Sequence, residues 1–127
     1  MKKILIVEDD PKIRLALAIR LHAAGLDVTA AEDAVTGLST AIKEMPQLVI
    51  LDISMPGKDG VEVFRELRGS PDTAGMAICV VTGHPEFREV IYSVSVDKPD
   101  GYMHKPVTPD DLVDGLRRIL DLKEKPH

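Results

Sequence analysis

Short, uninterrupted apolar runs alternating with helical patterns restrict this chain more than any other feature. Ile4-Leu5-Ile6-Val7, Leu48-Val49-Ile50-Leu51 and Ile78-Cys79-Val80-Val81 are each rich in branched side chains. Runs of this kind suit strands covered on both faces, as in the middle of a parallel sheet. Leu26-Asp27-Val28-Thr29-Ala30 alternates instead, so it is predicted to be half covered and nearer an edge. Tyr102-Met103-His104 is a short fifth strand candidate.

The intervening segments carry helix punctuation. Asp10 before Pro11 reads as an N-cap and a first helical residue. Ile13, Leu17, Leu21 and Ala24 then share a face, and Gly25 marks the stop. Ala34, Leu38, Ala41, Ile42 and Met45 form a second stripe, closed by Pro46. Val61, Phe64 and Leu67 make a third before Gly69-Ser70-Pro71-Asp72. Thr108-Pro109-Asp110-Asp111 resembles a capping box ahead of Leu112, Leu116, Ile119 and Leu120. Phe87, Val90, Ile91 and Val94 fit a helix, although Val90 to Val96 also alternates as a strand would; the βα rhythm favours the helix. Five βα units in succession imply one doubly wound α/β domain, a five-stranded parallel sheet with helices on both faces.

Composition narrows the function. With 16 basic and 21 acidic residues the net charge is −5, which argues against a domain built to grip nucleic-acid phosphates or anionic lipid. The single cysteine, Cys79, excludes an internal disulfide framework and a CxxC zinc site. The opening apolar stretch, Ile4 to Val7, is shorter than a secretory core of ~7–15 residues, so a cytoplasmic location is expected.

In a parallel sheet all strands end on one edge, where ligands bind. The runs here end at Glu8 and Asp9, at Asp52, at Thr82 and at Lys105, so three carboxylates, a hydroxyl and an ammonium should converge. Three carboxylates so close repel one another, and a hard divalent cation relieves them. A carboxylate held beside such an ion can act as a nucleophile toward phosphorus. The remaining charge on the phosphoryl group would fall to the metal, Lys105 and Thr82. Asp52, ending the central run before a turn-rich loop, is the expected acceptor, with Glu8 and Asp9 holding metal and Asp10 capping a helix. Taken singly, each has an ordinary reading: an acidic turn, a turn cap, a strand-end hydroxyl, a surface lysine. Cys79 reads as core packing, and His22, His104 and His127 as surface residues.

Together, Val7-Glu8-Asp9-Asp10, Leu51-Asp52-Ile53-Ser54-Met55-Pro56 with Asp59-Gly60, Val81-Thr82-Gly83 and Tyr102-Met103-His104-Lys105-Pro106 resemble the signature blocks of bacterial response-regulator receiver domains, CheY-like modules of two-component signalling. The resemblance covers residues 3–123, leaving 124–127 as a polar tail. It implies the flavodoxin-like strand order 2-1-3-4-5 and a phosphoacceptor role for Asp52. It places Mg2+, or Mn2+, on Asp9, Asp52 and the backbone carbonyl of Ser54, with Glu8 acting through water. Thr82 and Lys105 would meet phosphoryl oxygens, Thr82 and Tyr102 would form a conformational switch, and Lys105-Pro106 would be a cis peptide. Gly83 would leave room for the phosphoryl group, and Ser54 and His84 would modulate its lifetime.

The implied partners are a histidine kinase or histidine phosphotransfer protein as donor, and a downstream protein target on the face formed by the fourth helix, fifth strand and fifth helix. No direct contact with nucleic acid or membrane is expected, and the chain should be a monomer or a phosphorylation-dependent dimer. It is expected to be no enzyme in the ordinary sense, but a phosphoacceptor that assists its own phosphorylation and dephosphorylation. A phosphohydrolase would carry a second Asp two residues after the nucleophile, where Ser54 stands. A flavodoxin-like cofactor binder would want a phosphate-cradling loop where Glu8-Asp9-Asp10 stands. A phosphorylation-independent interaction module would not need the full acidic set. One departure from the family pattern is Asp97-Lys98-Pro99-Asp100-Gly101, which sits where Gly-Ala is common and leaves the fourth helix and its output face open.

Overall fold

The computed structural model describes residues 2–53, 60–95 and 97–124. Its elements alternate along the chain: β1 (Lys3–Val7), α1 (Pro11–Ala23), β2 (Asp27–Ala31), α2 (Ala34–Glu44), β3 (Leu48–Asp52), α3 (Gly60–Gly69), β4 (Ala77–Thr82), α4 (Phe87–Ser93), β5 (Gly101–His104) and α5 (Pro109–Glu124). The five strands form one sheet in the order β2-β1-β3-β4-β5, every neighbouring pair parallel, as expected. Lys105-Pro106 is a cis peptide.

The central strands β1, β3 and β4 are apolar along their length because helices cover both faces. On one face Ile4, Ile6, Leu48, Ile50, Cys79 and Val81 meet α1 and α5 through Leu21, Leu112 and Leu116. On the other, Leu5, Val7, Val49, Leu51, Ile78 and Val80 meet α2, α3 and α4 through Ala41, Phe64, Leu67 and Ile91. Edge strand β2 is only half covered, in keeping with its alternating sequence.

Three helix faces differ from the sequence pattern. Ile13 is exposed on α1, where Leu21 alone is fully buried and Leu17 and Ala24 are half-buried. Ile42 and Met45 are exposed on α2, whose buried residues are Ala34, Gly37 and Ala41. Gly37 explains that rotation: a Cβ there would stand 2.8 Å from the Val7 side chain, so the helix lies down on its small residues. Helix α4 stops at Ser93, short of the Val94 predicted on its apolar face, and only Ile91 is fully buried on it. The Lys98 ammonium caps its end, donating to the carbonyls of Tyr92 and Ser95.

Candidate functional site

Parallel register delivers the expected residues to one edge. Val7 pairs with Leu51, Asp52 with Val81, and Thr82 with His104, so Glu8, Asp52, Thr82 and Lys105 follow one another across four adjacent strand ends. The Lys105 N–H donates to the Thr82 carbonyl at 2.7 Å, and the Ile53 N–H to the Val81 carbonyl at 3.2 Å, prolonging the ladder to the rim. Carboxylate oxygens of Glu8, Asp9 and Asp52 all lie within 4.8 Å of one another. Glu8 and Asp52 are buried and Asp9 is exposed.

Lys105 bridges the buried pair, its Nζ donating to Asp52 Oδ2 at 3.0 Å and Glu8 Oε1 at 3.2 Å. Its pKa is pulled down by burial, but the hydrogen bonds and charges of Asp52 and Glu8 more than offset that and raise it. Glu8 is pushed up to about 8, chiefly by burial and then by its hydrogen bond to Asp52 and that residue's negative charge, with Lys105 opposing. Glu8 Oε2 is buried and accepts no hydrogen bond among the described residues. Thr82 is fully buried, and its hydroxyl accepts from the His84 N–H at 3.0 Å.

The remaining site candidates separate from this centre to different degrees. A Cβ on Gly83 would touch the Lys105 side chain at 3.8 Å, an ordinary contact, so Gly83 borders the site without being packed tight. His84 is exposed and turned toward its own loop, 3.4 Å from Glu86 and edge-on to Phe87. Tyr102 lies opposite Val80, two positions before the rim, and packs on the α4 side. Ser54, expected as a metal ligand and lifetime modulator, lies outside the described residues, as does His127. His22 and His104 are exposed, as expected.

Several positioning residues escaped the sequence pattern. Arg14 reaches back from α1 to donate to the carbonyls of Glu8 at 2.8 Å and Asp9 at 3.3 Å. Asp10 caps the same helix, accepting from the N–H groups of Lys12 and Ile13, as expected. The cap made the helix start legible; a basic residue one turn later was the available signal for the grip on the acidic turn. Gly60 lets α3 begin against Asp52: a Cβ there would meet the Ile53 Cα at 2.5 Å and the Asp52 carbonyl oxygen at 2.6 Å. Below the carboxylates an apolar cavity of about 410 Å³ runs between α1 and α5, past Ile13, Leu17, Ile50 and Leu112.

Arg68 accounts for the departure before β5. This buried side chain donates to the carbonyls of Ala74, Met76 and Lys98 and pairs with Asp100 at 2.9 Å. Asp100 in turn accepts from the Ile78 N–H and donates its own N–H to the Ile78 carbonyl. The segment Asp97–Gly101 is therefore fastened to α3 and β4.

The comparisons with known proteins agree with this arrangement. The family model described as a response regulator receiver domain matches residues 4–117. The chain is 33% identical over 95% of its length to the C4-dicarboxylate transport transcriptional regulatory protein DctD of Pseudomonas aeruginosa, covering 26% of that protein. It is 33% identical over 94% of its length to the phosphate regulon regulatory protein PhoB of the same species, covering 52% of it. The chain thus spans between a quarter and a half of these curated relatives. Among solved structures it resembles a CheY-like receiver domain protein from Methanospirillum hungatei, with a TM-score of 0.88, 31% identity and coverage of 98% of this chain and 97% of that one. The chemotaxis response regulator CheY4 of Vibrio cholerae gives a TM-score of 0.84 at 29% identity, covering 94% of this chain and 98% of that one. With its sheet order, its acidic edge and a family match over most of its length, the chain belongs to the response-regulator receiver domains of two-component signalling.

Proposed function

We propose that Asp52 is the phosphoacceptor of this receiver domain and that Lys105, Thr82, Glu8 and Asp9 serve the transfer. The observation that carries this reading is the buried Asp52–Lys105–Glu8 bridge at the C-terminal edge of the sheet. An oxygen of Asp52 bonds to phosphorus as the P–N bond of a donor phosphohistidine breaks. The electron pair leaves on the imidazole nitrogen, which takes a proton from solvent. Lys105 is within reach of the new phosphoryl oxygens and exchanges one carboxylate contact for them, and the Thr82 hydroxyl donates to another. The added charge of about −1.5 to −2 draws both groups toward Asp52 and moves Tyr102, two residues behind the rim, as the outward signal.

The donor set suits a hard divalent ion. Among the described residues three carboxylates face one ammonium, and Glu8 retains a buried oxygen without a hydrogen-bond partner. Asp9, Asp52 and the Ser54 carbonyl would hold Mg2+, or Mn2+, with Glu8 acting through water. When bound, such an ion neutralises charge on the phosphoryl oxygens. Gly83, which borders Lys105, and His84, on the adjoining loop, tune solvent access and hence phosphoryl lifetime, along with Ser54. The same groups assist hydrolysis of the acyl phosphate, so the domain returns itself to the resting state. The donor is a histidine kinase or phosphotransfer protein, and the target is a protein read by the α4–β5–α5 face rather than nucleic acid or a membrane. Among the described residues no helix is long and apolar enough to cross a membrane.

Acetyl phosphate with magnesium is expected to add one phosphoryl mass to the intact chain. Asp52→Asn should abolish that gain, and an unchanged yield in the variant would remove Asp52 from the role.

A further inference from the structure

Helix α4 is short and thinly anchored, with Ile91 as its only fully buried residue. A second contact compensates. The Arg88 guanidinium carbon stands 5.1 Å from the ring centre of Tyr92, four residues on along α4, and 5.3 Å from the ring centre of Tyr102 on β5. The two rings are 6.0 Å apart and tilted by 51°. One exposed cation therefore sits against two aromatic faces on different elements, each attracting it through its quadrupole. Tyr102 also packs against the core on the α4 side, but its hydroxyl is buried with no hydrogen-bond partner among the described residues, so no hydrogen bond of the hydroxyl fixes the ring.

The position of Tyr102 gives this contact its meaning. Val80 pairs with Tyr102 and Thr82 with His104, and alternate residues of β4 face the same side. Tyr102 is thus the diagonal neighbour of Thr82 on the α4 side of the sheet. A movement of Thr82 toward Asp52 changes the packing beside the ring that Arg88 holds.

We propose that Arg88 is a positioning residue for Tyr102, a cation–π latch that holds the ring and α4 in the resting arrangement and that activation must release. The inference rests on the receiver reading of Asp52 and Thr82. Because the latch stabilises only the resting arrangement, its removal favours the activated one, and anything that binds the activated form binds more tightly by the same factor.

The chain offers a selective readout: it has no tryptophan and two tyrosines, Tyr92 and Tyr102, so tyrosine emission reports this stack alone. The experiment titrates the whole chain with beryllium fluoride in magnesium, following emission, for wild type, Arg88→Met and Arg88→Lys. Acetyl phosphate loading is checked in parallel by intact mass. Wild-type emission is expected to change on saturation. Arg88→Met, which keeps an apolar stem, should start part-way along that change and reach half-saturation at about two- to fivefold lower beryllium fluoride, the range a solvent-facing cation–π contact supports. Arg88→Lys should restore most of the wild-type behaviour, and phosphoryl mass at saturation should stay the same in all three. If wild type gains the mass but its emission does not change, or if Arg88→Met titrates like wild type or more weakly, the latch is refuted while the receiver reading stands. A wild type that gains no mass refutes both.

Discussion

Lys105 and Asp52, 53 residues apart in sequence, meet at 3.0 Å across the end of the sheet, and the same ammonium reaches Glu8 at 3.2 Å. A cation supplied by the chain thus satisfies part of an acidic cluster whose total charge exceeds it. This balance sets what happens when either side is altered.

Lys105→Ala removes the ammonium that bridges Glu8 and Asp52 and leaves the buried Asp52 carboxylate without its counter-charge. Discounted for the partial exposure of the lysine, the metal-free chain should lose about 1–2 kcal/mol in urea denaturation. Magnesium should recover more stability in the variant than in wild type, while its dissociation constant changes by no more than a few-fold. The coupling of phosphorylation to tyrosine emission should fall further than metal affinity does. A collapse of metal binding would reverse this division of roles.

Glu8 gives the metal-free protein a characteristic pH dependence. Its pKa is raised from 4.5 to about 8 in the folded chain, so between those values the folded state holds a proton that the unfolded state has lost. Stability from this group is complete below 4.5 and declines as pH rises through about 8. Lys105, raised above 10.5, loses its contribution only in more alkaline solution and does not disturb that window. Urea midpoints in a chelator should therefore fall from pH 5 to pH 8. Glu8→Gln should flatten the slope, and a wild-type midpoint that rises over this range would contradict the assignment.

Gly60→Ala tests the approach of α3 to Asp52. A methyl group would collide with backbone atoms of Asp52 and Ile53, so a loss of about 1–3 kcal/mol is expected by equilibrium unfolding. Displacement of Asp52 should also slow acetyl phosphate loading; a normal loading rate would show that the collision is relieved away from the site.

Buried Arg68 pairs with half-buried Asp100 at the opposite end of β4 from the acids. Removing either partner by Asp100→Ala or Arg68→Met should cost about 2–3 kcal/mol, less than for a fully buried pair because Asp100 keeps some contact with solvent. Amide exchange should accelerate in the segment from Ser93 to Gly101, and magnesium affinity should stay unchanged. An effect confined to the metal site would be the wrong outcome.

Cys79 is buried at the centre of the sheet, and burial, with a smaller effect of the Asp100 charge, pushes its thiol up to about 12. Native protein should resist alkylation at pH 8 and react only when unfolded; fast native labelling would be inconsistent with this packing.

The strands could be read from sequence because burial on both faces leaves continuous apolar runs, and the acids because each run ends abruptly at a charged group. The caps of α1 and α5 were equally readable, with Thr108 accepting from the Asp111 N–H as its capping box implies. Helix faces were less so. Ile13, Ile42 and Met45 lie on plausible apolar stripes, yet small residues such as Gly37 and Ala41 decide which side approaches the sheet. The end of α4 depends on Lys98 reaching back to its carbonyls, and the Asp97–Gly101 segment depends on Arg68 from α3. Such non-local polar contacts leave no periodic trace. Arg88 between two tyrosines on separate elements is invisible for the same reason.

The grip of Arg14 on the carbonyls of Glu8 and Asp9, together with the Asp10 cap, joins the acidic turn and the first turn of α1 into one mechanical piece. A tug on that helix carries both acids with it as a unit and preserves the gap between them, and it reaches Asp52 on the neighbouring strand through the Lys105 bridge to Glu8. The helix is thereby coupled mechanically to the whole acidic edge.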